Sequence, residues 1–157
     1  MNLAVTDRER DLGVMVDRDL KASKPCVKAA ATANRVLRMI SRTIYNKSID
    51  ILRPLYKSLV RPHLEYCVQA WRPHYQKDIE LLERVQRRAT RMIEGYKTIP
   101  YEERLLLLGL TTLETRRLRG DLIETFKIVG GFSRLNKLDF FSMHNSVNTR
   151  GHNLKLY

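Results

Sequence analysis

Three groups of residues in this chain have types and spacings that chemistry can use. Asp17 and Asp19 form an Asp-x-Asp pair after an apolar run. Alternate strand residues share a face, so two carboxylates there have the geometry to hold a divalent ion for phosphoryl transfer. No third acid is placed to complete such a site, and the stretch Asp17–Leu20 reads as an acidic turn. His63 and Cys67 stand four apart, with His74 beyond. That is the helical spacing of two zinc ligands. The chain offers them no Cys-x-x-Cys or His-x-x-x-His partner, and no orienting group for a Cys–His nucleophile. Cys67 therefore reads as a small core residue. A glycine-rich phosphate loop is also missing. No catalytic residue, metal or cofactor is assigned.

The third group is basic. Residues 81–93 read LLERVQRRATRMI, and Arg84, Arg87, Arg88 and Arg91 fall at i, i+3, i+4 and i+7. A helix advances about 100° per residue, so the four share one stripe. Leu82, Val85, Ala89 and Met92 make a separate apolar stripe. As a solvated face, Arg84 and Arg87 would pair with Glu80 and Glu83, four residues earlier, at about 0.3–0.5 kcal/mol each. Arg88 and Arg91 would be left without an acid at that spacing. As a phosphate-contacting face, the stripe would use the planar five-donor fork of each guanidinium. A membrane surface is the weakest reading, because no strongly apolar, Trp- or Phe-rich face opposes the stripe. Lys57 and Arg61, one turn apart on the preceding helix, are secondary candidates. Tyr66 and Trp71 lie on an apolar side; stacking on bases is open to them, but core packing is the stronger reading. No base-reading motif is present.

The elements that must position these groups are mostly helical. The chain has 157 residues, 43% apolar and 29% charged, with a net charge of +12. One domain is expected, with nucleic acid or an anionic surface as the partner class. Residues 34–97 carry 14 Lys or Arg against 6 Asp or Glu, so much of the excess lies in helices rather than in a tail. No apolar run approaches the roughly 18 residues of a spanning helix, and the N-terminus lacks the pattern of a secretory signal. Two distant cysteines suit a reducing nuclear or cytoplasmic setting, not secretion.

LGVMV, residues 12–16, reads as a strand in need of a partner sheet. Pro25 to Arg42 reads as a helix with Val27, Ala30, Ala31, Asn34, Leu37 and Ile40 on one face. A second helix, capped by Ser48, runs to Trp71 and is kinked or broken at Pro54 and Pro62. A third spans Lys77 to about Glu94, stopped by Gly95. A fourth follows Pro100 and stops at Gly109. A fifth opens on a capping box of Thr111 and Glu114, buries Leu118, Leu122, Ile123, Phe126 and Val129, and ends at Gly130–Gly131. Residues 132–157 read as irregular, with Phe140 and Phe141 docking on the bundle. The predicted class is mainly α, an irregular bundle of about five helices with a short N-terminal β element.

The segments DLGVMVDRDL, LYKSLVRPHLEYCVQAW, KDIELLERVQRRATRMI, YEERLLLLGL, LETRRLRGDLIETFKI and TRGHNLKL occur in this order over residues 7–156. Together they closely resemble the C-terminal part of reverse transcriptases from non-LTR retrotransposons of the LINE/jockey type. In that family these segments follow the palm, whose catalytic aspartates lie in an Asp-Asp motif. This sequence contains no Asp-Asp pair. The resemblance implies a remnant of the palm exit over 1–20, a helical thumb-like domain over 21–131 and a truncated extension over 132–157. It also implies a fragment that is no polymerase on its own, and non-specific contact with the backbone of RNA, DNA or an RNA–DNA hybrid. It leaves the oligomeric state open. A helical module whose basic face meets an acidic protein is the alternative. A lone strand without its sheet would be an aggregation hazard.

Overall fold

The computed structural model describes residues 8–11, 13–17, 22–67 and 69–142. The order is β1 (Arg8–Asp11), β2 (Val14–Asp17), α1 (Ser23–Thr43), α2 (Ile49–Leu55), a π-helical turn (Tyr56–Val60), α3 (Arg61–Glu65), α4 (Gln76–Arg91), α5 (Tyr101–Leu108), α6 (Leu113–Val129) and a 3-10 turn (Lys137–Asp139). The fold is mainly α, as predicted. It comprises two compact units, residues 1–117 and 118–157. Among the described residues no helix is long and apolar enough to cross a membrane.

The strand expected within LGVMV is not a lone edge. β2 pairs antiparallel with β1, from Arg8 opposite Asp17 to Asp11 opposite Val14. Gly13 makes the turn at φ +86°, a conformation that costs glycine little and other residues much. Asp17 ends β2; Leu12 and Asp19 lie outside the described residues.

α1 buries Cys26, Ala30, Ala33, Leu37 and Ile40, alternating steps of four and three. The predicted face is corrected at its margins: Val27 and Ala31 are exposed and Asn34 is half-buried. Small residues at 26, 30 and 33 let α4 pack along this helix. α4 supplies Leu82, Val85 and Ala89 to the same core.

The predicted break around the two prolines takes a specific form. Pro54 lies inside α2 and Pro62 at the start of α3. Between them the chain widens into a π turn, with the Arg61 amide reaching back five residues to the Tyr56 carbonyl. Each proline removes a helical donor, and the wider turn re-routes the bonds around the gap. Ser58 Oγ donates to the Pro54 carbonyl at 2.8 Å. Leu52, Tyr56, Val60 and Leu64 are all buried at steps of four. In a regular α-helix those steps would drift about a third of a turn; the π turn takes part of that drift out. The helix ends at Glu65 rather than Trp71, and Cys67 adopts φ +49°.

α5 stops at Gly109, φ +58°, where the Leu110 amide returns to the Leu105 carbonyl at 2.9 Å. The cap of α6 is Thr112, not Thr111. Thr112 Oγ1 accepts from the Thr115 amide at 3.1 Å and its carbonyl takes the Arg116 amide. Thr111 is committed elsewhere, as described below.

In the unit beginning at Leu118, the predicted buried stripe is corrected. Leu118, Leu122, Ile123 and Phe126 are exposed, Phe126 by 63%, and Val129 alone of the five is buried. Helical periodicity specifies a face that can be buried, not that something covers it. Phe126 stacks on Phe132 at 5.7 Å across the Gly130–Gly131 turn. Phe140 is exposed, against the expectation that it docks. TRGHNLKL lies outside the described residues.

Burial separates two leucine substitutions. Leu122→Ser should change unfolding free energy in urea by less than about 0.5 kcal/mol. Leu82→Ala, at a fully buried site, should lower it by about 2–5 kcal/mol. Equal effects would contradict this burial pattern.

Candidate nucleic-acid interface

α4 has two polar sides. One is buried. Gln86 has no exposed surface, and Glu83 is 8% exposed. The Gln86 amide nitrogen donates to the Tyr101 hydroxyl at 2.8 Å and the Thr111 carbonyl at 3.0 Å, with Glu83 Oε1 a third, longer acceptor at 3.2 Å. Its oxygen accepts from the Tyr56 hydroxyl at 2.6 Å. Glu83 Oε1 accepts a short hydrogen bond from the Tyr101 hydroxyl, and Oε2 accepts from the Leu113 amide at 3.0 Å. A carboxylate at the first amide of α6 also meets the positive end of that helix. The network joins the π turn, α4, α5 and the start of α6. Asp78, in the first turn of α4, accepts from Ser23 Oγ at 2.5 Å and ties in α1.

This corrects one half of the surface-pair reading. Glu80 pairs with Arg84 at 3.7 Å across exposed side chains, as its spacing suggested. Glu83 does not serve as a solvent-side partner for Arg87; it is turned into the network. Arg87 instead lies over the Tyr101 ring, 4.9 Å from its centroid. Arg104 lies over the same ring at 5.4 Å and donates to the Arg87 carbonyl at 3.0 Å. Burial, and next the neighbouring charge of Arg91, lowers the Arg104 pKa. Arg117 is 4% exposed. Burial lowers its pKa, and the field of Glu83 is the first influence to oppose that.

The other polar side carries the stripe. Arg84, Arg87, Arg88 and Arg91 are all exposed, so the four share an open face. Arg88 Nη1 donates to Asn34 Oδ1 on α1 at 2.8 Å. That bond brings in residues the sequence reading passed over. Arg35, Arg38 and Arg42 are exposed on α1 and, with Met39 and Thr43, line a shallow depression of about 370 Å³. α1 contains no acid from Ser23 to Thr43. The i, i+3, i+7 spacing and that missing acid were the available signal. The basic surface therefore spans two packed helices.

Lys57 and Arg61 are both half-buried. Arg61 lies 3.7 Å from Glu65, whose carboxylate also takes Arg116 at 2.5 and 3.2 Å. Neither has the exposure of the α4 arginines. His63 is exposed and Cys67 half-buried against the core; among the described residues no three His, Cys, Asp or Glu gather closely enough to hold a metal ion. Trp71 is a core residue, 7% exposed, its Nε1 donating to the Tyr66 carbonyl at 2.9 Å. Tyr66 is 56% exposed and not core. No family model, curated protein or solved structure matches the chain.

Two predictions concern the network. Gln86→Leu strands the Tyr56 hydroxyl and the Thr111 carbonyl and should cost about 2–4 kcal/mol in urea unfolding. Arg84→Ala should stay within about 0.5 kcal/mol. Comparable losses would show that the buried amide does not carry this weight. The second concerns pH. Burial, then the field of Asp78, pushes the Cys26 thiol up to about 11. Burial raises Tyr56, with Tyr101 next as cause; burial and the Glu83 hydrogen bond raise Tyr101. Unfolded, such groups lose their protons near 9.0 and 10.0. Their stabilisation is thus full below about pH 9 and falls as pH rises, the Cys26 share being lost through about 11 and the tyrosine shares, whose pKa values are raised further, above that. The urea midpoint should fall across that window, and Tyr56→Phe should flatten the fall; a midpoint rising there would contradict the assignment.

Proposed function

We propose that this chain is a thumb-like piece of a non-LTR retrotransposon reverse transcriptase that grips a nucleic-acid duplex by its phosphates and does not itself polymerise. One observation carries the reading: the exposed arginines of α4 adjoin those of α1, joined by the Arg88–Asn34 bond, on a helix with no acid. Six ordered segments resembling that family support it, and the missing Asp-Asp pair supports the non-catalytic part.

The physical basis is simple. A guanidinium fork matches two phosphate oxygens. Arg84 to Arg91 covers about 10 Å along the helix axis, about three steps of a B-form strand at 3.4 Å each. Rigid helices set this spacing, and the Asn34 bond and Tyr101 ring limit the rotamers of Arg88 and Arg87. The partner is the backbone of an RNA–DNA hybrid, RNA or DNA, without base readout. On this reading the chain works in the nucleus or cytoplasm, which suits two cysteines that remain free thiols.

The test is binding to an RNA–DNA hybrid over a series of salt concentrations. Log K should fall with log salt at about −0.9 per phosphate neutralised. Arg35→Gln, Arg38→Gln and Arg42→Gln together should make that slope shallower by about 2.7. Alanine at the four α4 arginines should weaken binding further. Undetectable or salt-independent binding would sink the reading. Binding to an acidic protein that survives excess RNA would favour a protein partner instead.

A further inference from the structure

A cleft of about 150 Å³ lies where the Gly13 turn, α1 and the end of α3 meet. Pro25, Ala29, Tyr66 and Trp71 make its apolar lining, and Lys28 and His63 add cationic and hydrogen-bonding groups. We infer that this cleft seats one unpaired pyrimidine base, with the adjoining phosphate on Lys28. The inference rests on the nucleic-acid reading above and adds to it a site that contacts a base rather than a backbone.

The size fits. Ligand pockets for drug-sized molecules run to about 300–1,000 Å³, whereas an apolar void of about 150 Å³ accepts a single benzene ring. A one-ring base fits this space; a two-ring base fills it only by protruding. The lining is set in advance. The Trp71 indole is fixed by its bond to the Tyr66 carbonyl. The Tyr66 ring lies against the Gly13 turn, 3.8 Å from where a Cβ would stand, and still leaves 56% of the residue open to solvent. Exposed aromatic faces beside cations are the usual platform for unpaired bases.

Charge selects a nucleotide over a purely apolar guest. Lys28 is exposed, and Arg35 and Arg42 follow it at seven-residue steps on α1. Seven residues are nearly two full turns, so the three lie in one line with about 10.5 Å between neighbours. A strand whose phosphates follow this line has its end, or one turned-out base, at the cleft. The line begins at the base seat and runs into the surface proposed to grip the duplex.

Trp71 is the chain's one tryptophan, so fluorescence excited at the red edge, where the tyrosines do not absorb, reports on this cleft. The whole chain is titrated at low salt with a thymidine dodecamer and with an abasic dodecamer of equal charge. The thymidine strand should bind about 5- to 150-fold tighter, the range for one stacked base, and should quench Trp71; the abasic strand should not quench it. Tyr66→Ala should remove at least fivefold of the thymidine affinity and leave abasic binding unchanged. Ala29→Leu, which fills the cleft with a good helix former, should equalise the two strands. Equal binding without quenching would overturn the base seat and leave the backbone grip standing. Failure of both strands to bind would overturn both.

Discussion

The structure depends on a buried amide. Gln86 stands at the centre of the first unit with no exposed surface, and its donors and acceptor are met by groups from the π turn, α5 and the segment before α6. A neutral amide with every bond satisfied adds modest net stability, while the same amide left unpaired costs the full desolvation of its polar atoms. The arrangement is therefore selective more than strong. A shift of α5 relative to α4 breaks the Gln86–Tyr101 and Tyr101–Glu83 bonds together, and a shift of the π turn breaks the Tyr56–Gln86 bond. Glu83 extends the same constraint to the Leu113 amide. A register error between helices is penalised at several groups at once, which apolar contacts alone would not achieve.

That inward side frees the outward one. A helix bearing four arginines within eight residues resists isolation, since like charges at i, i+3 and i+4 repel. Leu82, Val85 and Ala89 in the core, with Glu83 and Gln86 in the network, hold it in place regardless. Stability and charge thus sit on opposite sides of one helix. The guanidinium groups need contribute nothing to folding, and exposed ones rarely do. They stay available to a partner, and the Asn34 bond aligns them with α1, a helix that carries no acid.

The legible part of the fold was the part governed by local rules. α1, α4 and α5 fall within a few residues of their periodic and capping signals, because Pro25, Gly95 and Gly109 act through their own backbones. What failed depended on tertiary choice. Glu83 has the spacing of a surface pair with Arg87, yet a hydroxyl from α5 and an amide from α6 draw it inward; spacing on one helix cannot report that. By sequence the capping box with Glu114 favours Thr111, yet the Thr111 carbonyl is taken by the Gln86 amide and Thr112 caps α6. The stripe of Leu118, Leu122 and Phe126 has helical period and stays exposed. For the basic surface, α4 was readable in one helix. The share from α1 required knowing which helix Arg88 touches.

The proline pair shows how a local rule and a tertiary one meet. Pro54 and Pro62 forbid a regular helix between them, and either could have ended it. The chain continues because the π turn supplies bonds of a different span, and the same turn keeps Tyr56 and Val60 facing the core. Tyr56 must face inward for its hydroxyl to reach Gln86 at 2.6 Å. A regular helix would rotate that residue relative to Leu64, so the irregular turn and the buried amide require each other. The defect written by the prolines is one of the supports on which α4, and the arginines it carries, are held.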